Sequence, residues 1–225
     1  MTLIFSVIIS SAVGVGGYFF TKWYFGNKDN EATYSRKKRI IFAIVSVVFF
    51  LAIGVCFPLF TDFEERTSFE VLRSVTAVQS LYYIALLDHK FRVIPNKYLL
   101  ALLGITVVLL GAEAVCDFSG FRFTVIFNLI GSFVCGTIFL ITNLLSHNGL
   151  GMGDVKLMYV LGLLVGMDDA LGALLWTFAL SAVYGIVMLI GKKVKMKTKI
   201  AMGPFFFLGF LCSNIMYIIS GYFGG

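Results

Sequence analysis

The stretch LLDHKFRVIPN, residues 86–96, is a short polar turn between two long apolar segments, one over 70–87 and one over 97–115. Pro95 lacks an amide hydrogen and restricts the residue before it, so it must end or restart a helix. Asp88 lies where the first apolar segment meets this turn. A carboxylate at the end of a membrane helix is a candidate functional group. The stretch therefore predicts two membrane helices joined by a turn with a candidate functional acid.

The rest of the chain also consists of apolar segments separated by polar or glycine-bearing breaks. Of its 225 residues, 59% are hydrophobic and only 13% are charged, unlike a soluble domain. Each apolar run is long enough, or nearly so, for a bilayer, which takes roughly 20 helical residues. The predicted fold is all-α, a single membrane bundle over residues 1–225 with about eight spans, six to eight being possible. The predicted spans are 3–24, 39–60, 70–87, 97–115, 122–145, 154–167, 169–190 and 203–221.

Spans six and seven are the weakest of these predictions, because only residues 166–169 divide them. Either the sixth span is short, or the two form a re-entrant hairpin. The first span is expected to be retained with its N-terminus outside, since no basic residue precedes it as in a secretory signal. The longest polar stretch, residues 26–39, is interpreted as a short connector.

The distribution of charge predicts the orientation in the membrane. When the loops are assigned alternately to the two sides, one side receives Lys22, Lys28, Arg36, Lys37, Lys38, Arg39, Lys90, Arg92, Lys97, Lys156, Lys192, Lys193, Lys195, Lys197 and Lys199. Basic residues mark the cytoplasmic side. The turns that carry Asp88 and Asp154 are therefore expected to face the cytoplasm, and an even number of spans puts both termini outside. This topology explains the net charge of +6, with membrane lipids as partners and no nucleic acid.

Asp154 is the second candidate acid, within GLGMGDVKL at 149–157, where Gly151 and Gly153 permit close backbone approach. Each aspartate alone has a structural alternative. Asp154 would suit a helix N-cap or first turn, and Asp88 would suit a solvated loop acid paired with a basic neighbour. Two carboxylates brought close, however, share one proton and titrate at separate pKa values. One can then activate a water while the other protonates the substrate, without metal or cofactor.

No metal or cofactor site is predicted. The cysteines, at positions 56, 116, 135 and 212, include no CxxC pair, and a zinc site needs clustered thiolates or imidazoles. His89 and His147 flank the two candidate turns but are far apart in sequence, and they are expected to be surface residues. Gln79 and Asn128 lie inside predicted spans, where polar side chains more often join helices than contact substrate.

Three motifs resemble those of the type IV prepilin peptidase family, which are membrane aspartic proteases, and the resemblance covers roughly residues 80–215. Asp88 is followed after five residues by Ile94, Pro95 and Asn96. The GxGDVK element holds Gly151, Gly153, Asp154 and Lys156, and a late turn holds Gly203 and Pro204. The resemblance implies that Asp88 and Asp154 are the catalytic pair and that the other motif residues support them. Lys156 would either lower a carboxylate pKa or meet a lipid phosphate.

The resemblance implies an aspartic endopeptidase at the cytoplasmic face of a prokaryotic membrane. Its substrates would be pilin-like, pseudopilin or preflagellin precursors, with a short basic leader before an apolar N-terminal helix. Larger family members also methylate the new N-terminus and carry a cytoplasmic insert with two zinc-binding CxxC pairs. Residues 26–39 stand in place of that insert, so methyltransferase activity is not expected. The chain more closely resembles the short preflagellin and tight-adherence pilus peptidases.

Two other functional classes stay open. One is a proton- or cation-coupled membrane transporter, and the other is a non-enzymatic assembly partner of a pilus or secretion system. Against a transporter, both acids lie at span ends and not near the midplane, and no inverted repeat is evident. An assembly partner would tolerate substitution of both aspartates.

Overall fold

The structure is a computed structural model that describes residues 67–146, 150–191 and 201–223, together with Gly16. These residues form six α-helices and contain no strand, in agreement with the predicted all-α class. The helices are α1 (Ser68–Phe91), α2 (Asn96–Cys116), α3 (Phe118–Leu145), α4 (Met152–Val165), α5 (Met167–Ile190) and α6 (Gly203–Phe223). The predicted spans 3–24 and 39–60, the connector 26–39 and the basic stretch 192–199 lie outside the described residues.

Three of the described helices, α2, α3 and α5, are long and apolar enough to cross a membrane. Helix α6, Gly203–Phe223, is apolar as well. These helices and the composition are those of a membrane protein. The count of eight spans and the outside location of both termini stay predictions.

Helix α1 corresponds to the predicted span 70–87 but is less apolar than α2, α3 and α5. Its side chains are buried almost all round, including polar ones such as Arg73, Thr76 and Gln79. The Thr76 hydroxyl donates a hydrogen bond of 2.9 Å to the Leu72 carbonyl one turn earlier. The chain falls into two compact units, Met1–Tyr83 and Ile84–Gly225, and α1 passes from one to the other. The candidate site lies wholly in the second unit.

The boundaries of α2 and α3 follow from their first residues. Pro95 has extended backbone angles (φ −70°, ψ 126°) and precedes α2, which confirms that it restarts a helix. Helix α3 begins at Phe118, four residues before the predicted start of its span at 122. The reason is the carboxylate of Asp117, which accepts hydrogen bonds from the Gly120 amide at 3.1 Å and the Ser119 hydroxyl at 2.8 Å. An aspartate in this position caps a helix.

Helices α3 and α4 run antiparallel and approach each other closely through small residues. A Cβ at Gly162 would lie only 2.6 Å from the carbonyl carbon of Gly131. Nearby, the Ser132 hydroxyl donates a 2.7 Å hydrogen bond to the Tyr159 carbonyl. Small residues and side-chain hydrogen bonds are the usual means of joining helices in a membrane. This packing fixes the direction of α4, and therefore the end of the bundle at which Asp154 lies.

The division between α4 and α5 is sharper than the sequence indicated. It consists of Gly166 alone, whose φ of +91° is in the region that favours glycine. Asp168 and Asp169 already belong to the first turn of α5, where the helix dipole stabilises acids. Helix α4 has 14 residues and is about 21 Å long, whereas a bilayer core is about 30 Å thick. Helix α4 is therefore shorter than a bilayer core, and its turn into α5 lies beside the middle of α3, where Met167 lies against Gly131. The short sixth span and the re-entrant hairpin both stay predictions.

Candidate active site

Asp88 lies in the last turn of α1 and is only 5% exposed. Its Oδ2 accepts a hydrogen bond of 2.7 Å from the amide of Gly203, the first residue of α6. A Cβ at position 203 would lie 2.7 Å from the Asp88 Cβ and 3.2 Å from the Cα of Ala85. A glycine is therefore needed for α6 to begin this close to α1.

The interpretation of Asp88 as a solvated loop acid is wrong, because α1 continues past it to Phe91. His89 and Lys90 occupy the last turn, where the helix dipole favours positive charge. Arg92 then closes the helix with a positive φ of 52°, and its amide donates a 2.8 Å hydrogen bond to the Asp88 carbonyl. Such a left-handed residue is a common helix ending, although glycine is the usual choice.

Asp154 lies in the first turn of α4 and is 7% exposed. Its Oδ2 accepts a hydrogen bond of 3.0 Å from the Gly151 amide, so the predicted capping role describes part of what this side chain does. Asp117 also caps a helix, as the residue before α3 that accepts from the amide three positions later, yet it is exposed to solvent. Capping therefore does not require burial, and the burial of Asp154 calls for a further explanation.

The structure brings the three sequence motifs together. A Cβ at Gly153 would lie 3.0 Å from the Cβ of Ile94, so the IPN element packs directly on the GxGD element. The Lys156 ammonium donates a hydrogen bond of 3.2 Å to the Asn96 side-chain oxygen and joins the same two elements again. The late turn contributes Gly203, which holds Asp88.

Pro204 lies in the first turn of α6, where a missing amide hydrogen leaves no intrahelical hydrogen bond unmade. Its position is compatible with the start of a helix. Pro95 is buried immediately before α2.

The two carboxylates lie close enough to influence each other, and neither belongs to the three helices that are candidates to cross the membrane. Burial and, to a lesser extent, the negative charge of Asp88 together raise the pKa of Asp154 to about 7, although the hydrogen bond from the Gly151 amide acts against both. Burial also raises the pKa of Asp88, but the Gly203 amide, His89, the Met202 amide and Arg92 lower it. The Lys156 ammonium is directed to Asn96.

A residue that the sequence did not single out lies at the same end of the bundle. Asn143, near the end of α3, is 1% exposed, and its amide donates a 3.3 Å hydrogen bond to the sulfur of Met152 at the start of α4. Its side-chain oxygen has no hydrogen-bond partner in the described part of the chain. In the sequence, Asn143 is marked only as a polar residue inside an apolar span, as Gln79 and Asn128 are.

Gln79 and Asn128 are both buried. Oδ1 of Asn128 faces the Gly166 turn, where a Cβ at position 166 would lie 2.8 Å from it. His89 is exposed, in agreement with the prediction, and His147 lies outside the described residues. Among residues 67–146, 150–191 and 201–223, no group of three or more His, Cys, Asp or Glu side chains is placed to hold a metal ion.

Comparison with known proteins supports the resemblance of the motifs. The profile of the type IV leader peptidase family matches residues 75–186, about half of the chain, and this range includes both aspartates. The prepilin leader peptidase/N-methyltransferase of Bacillus subtilis (strain 168) is 24% identical over 162 residues, which are 72% of this chain and 59% of that protein. No solved structure matches the chain. The profile match and this relative show that the chain belongs to the type IV leader peptidase family.

Proposed function

We propose that this protein is an aspartic endopeptidase that removes the basic leader from pilin-like precursors, with Asp88 and Asp154 as its catalytic pair. The observation that carries the proposal is the meeting of two buried carboxylates from α1 and α4. Each is oriented by a backbone amide, Gly203 for Asp88 and Gly151 for Asp154. Burying two acids near each other is costly for stability, and a shared catalytic role accounts for that cost.

In the proposed mechanism the two acids have different roles. Asp88 is the base: burial raises its pKa, but the Gly203 amide and the charges of His89 and Arg92 act against this rise and favour its carboxylate form. Asp154 holds the proton, because burial and the neighbouring negative charge favour its neutral form. A water between them gives a proton to Asp88 and attacks the scissile carbonyl carbon, while Asp154 protonates the carbonyl oxygen. Asp88 then gives its proton to the leaving nitrogen as the C–N bond breaks, and one hydroxyl of the tetrahedral intermediate returns a proton to Asp154, which leaves the carboxylic acid product and both acids in their starting states.

The proposed substrate is a precursor whose basic leader lies in the cytoplasm and whose apolar helix lies in the membrane. Support comes from the family, and from the basic residues that the sequence places beside both candidate turns. We also propose that the chain lacks N-methyltransferase activity, since its four cysteines form no CxxC pair. The Bacillus subtilis relative is named for both activities, so mass spectrometry of the mature N-terminus is the direct test of this second point.

The test of the catalytic pair is substitution by asparagine. Asp88→Asn and Asp154→Asn are each expected to reduce cleavage of a co-expressed pilin-like precursor by at least about 1,000-fold, because neither amide can transfer the required proton. The matched control is Asp117→Asn, an exposed helix-capping acid at the α2–α3 turn, which should cleave at the wild-type rate. Each variant is first checked for membrane insertion and for its unfolding transition in detergent.

The other two classes predict different results in the same experiment. Normal leader removal by a folded Asp88→Asn or Asp154→Asn protein would exclude the proposed mechanism and favour a non-enzymatic assembly partner. A transporter would show a proton or cation flux in sealed vesicles that either substitution abolishes, with no cleavage by the wild type.

A further inference from the structure

A groove of about 410 Å³ lies between α2 and α4, on a different face of α4 from Asp154. Its walls are two matching rows of side chains at positions i, i+3, i+4 and i+7, beginning at Asn96 in α2 and at Lys156 in α4. This spacing places each row on one face of its helix. Ser132 of α3 also lines the groove. The first residue of each row is polar, and Tyr159 is aromatic. The other residues of the two rows are aliphatic.

The polar end of the groove carries a positive charge, and no carboxylate in the described part of the chain pairs with it. The Lys156 ammonium is exposed, and among the described residues its hydrogen-bond partner is the neutral side-chain oxygen of Asn96. From Asn96 to Leu103, and from Lys156 to Leu163, each wall extends for about 10 Å. A cation therefore stands at one end of an apolar channel that is open along its length.

We propose that this groove binds an anionic phospholipid, with its phosphate on Lys156 and one acyl chain along the walls. The charge at the end selects an anion, and the apolar walls select a molecule whose anionic group carries a hydrocarbon chain. Basic sites between membrane helices recognise lipid headgroups in this way. A helix with its side chains is about 10–12 Å wide, so 10 Å of its length fills roughly 800 Å³ or more. This is about twice the volume of the groove, which therefore fits a single acyl chain better than the apolar helix of a substrate. The proposal is independent of the proposed peptidase activity.

Lipid retention by the full-length protein tests the proposal without any activity assay. The protein is exchanged into nanodiscs with equal amounts of phosphatidylglycerol and phosphatidylcholine of identical acyl chains, and lipids that remain after mild delipidation are counted by native mass spectrometry. Wild type is expected to retain phosphatidylglycerol about fivefold over phosphatidylcholine, the factor that one phosphate–lysine contact near a membrane surface gives. Lys156→Gln should lose this preference, and Lys156→Arg should keep it.

Two matched pairs of variants separate the groove from general charge and bulk. Lys97→Gln removes the same charge one residue after Asn96, outside the groove lining, and should keep the preference. Leu103→Trp fills the groove and should abolish the retained lipid, whereas Val108→Trp, on the exposed face of α2, should not. Equal retention of both lipids by wild type would overturn the proposal. So would equal losses in the Lys97 and Lys156 variants, or a photo-crosslinker at Leu100 that captures precursor peptide in place of lipid.

Discussion

Asp88 and Asp154 are held in place by two different kinds of local structure. Asp88 is at the end of a long buried helix, and its amide donor comes from Gly203, 115 positions later in the chain. Asp154 is at the beginning of a short helix, and its donor is Gly151, three positions earlier. Positive groups surround the first acid, and none lowers the pKa of the second. Tertiary structure therefore builds one half of the site, and a local turn builds the other.

The dipoles of the two helices oppose the difference between the pKa values of the two acids, but they are too weak to reverse it. The dipole of α4 favours a charged acid at its start, and the dipole of α1 disfavours one at its end. Each effect contributes at most about 1 kcal/mol at an ordinary helix end, which corresponds to less than one pKa unit. The pKa of Asp154 rises by more than this, from the ordinary value of 3.8 to about 7. We therefore expect burial and the neighbouring charge to decide which acid holds the proton.

The largest contrast is expected when a methyl group is added beside each aspartate. In Gly203→Ala the new carbon meets the Asp88 Cβ and the Ala85 backbone, which move only if α1 or α6 shifts. A shift of about 1 Å at a catalytic group costs about 100-fold in rate. In Gly151→Ala the nearest atom is the terminal Oδ2 of Asp154, at 3.1 Å, and it can rotate away. We expect a loss below about tenfold there.

Initial rates of precursor cleavage in proteoliposomes measure this contrast. Gly104→Ala is the control, because its Cβ would meet no atom within 4 Å, and it should behave as wild type. Equal losses at positions 203 and 151 would show that the two regions do not differ in the way described.

The pH dependence tests which acid carries the proton. Above pH 7 the cleavage rate should fall about tenfold for each pH unit as Asp154 ionises. Because burial also raises the pKa of Asp88, its acid limb should lie above pH 3.8. Single-turnover rates with a fluorogenic leader peptide give the profile. A rate that stays constant from pH 6 to pH 9 would assign the proton to a different group.

The same titration should appear in the stability of the folded protein. Between 3.8, the ordinary value, and about 7, the folded state binds a proton on Asp154 that the unfolded state has lost. Stability contributed by the neutral acid is therefore present below pH 4 and is lost as the pH rises to about 7. Thermal unfolding in detergent should show this decline in wild type and less of it in Asp154→Asn. An identical slope in both proteins would contradict the assignment.

A smaller effect is expected at Arg92, which combines backbone strain with a charge near Asp88. Arg92→Gly should stabilise the protein by up to about 1 kcal/mol, because glycine adopts a positive φ without strain. Arg92→Gln keeps the strain and removes the charge, so it should only move the acid limb of the rate profile to higher pH. Chemical unfolding in detergent and the pH profile separate these effects. Lys90→Gln is the control, and a shifted acid limb in that variant would show that general surface charge is responsible.

The smallest effect is expected at the bond that joins the two regions. Asn96→Ala removes the exposed acceptor of the Lys156 hydrogen bond. Because an exposed hydrogen bond exchanges with water, the free energy of unfolding should change by less than about 1 kcal/mol. Differential scanning calorimetry of the wild type and of Asn96→Ala at one pH measures this change. A larger loss would mean that this bond, and not the packing of Ile94 on Gly153, holds the motifs together.

The sequence predicted the helices well where apolar length decides the structure. The span predicted at 97–115 is α2, Asn96–Cys116, and the span at 169–190 is nearly all of α5, Met167–Ile190. Boundaries were missed where a local hydrogen bond extends a helix, as Asp117 does at the start of α3. The residues after Asp88 are polar and were interpreted as a turn, although a last helical turn also accommodates positive residues.

The residues of the site could be predicted from the sequence, but the contacts between them could not. Spacing in the sequence drew attention to both aspartates because each adjoins a recognisable turn. It did not reveal that Gly203 donates to Asp88, or that Ile94 packs on Gly153, because these contacts join residues far apart in the chain. Asn143 is missed for a different reason, because the sequence shows only a polar residue in an apolar span and gives neither its burial nor the missing partner of its side-chain oxygen.

The bond between Asp88 and Gly203 also bears on how the protein is made. Membrane helices are synthesised in order, and domains generally fold as their chain emerges. A chain that has inserted α1 to α5 already contains both aspartates, but the amide that orients Asp88 belongs to α6. We therefore expect the site to become complete only when α6 packs onto α1. An incomplete nascent chain would then carry both acids without the hydrogen bond that orients Asp88.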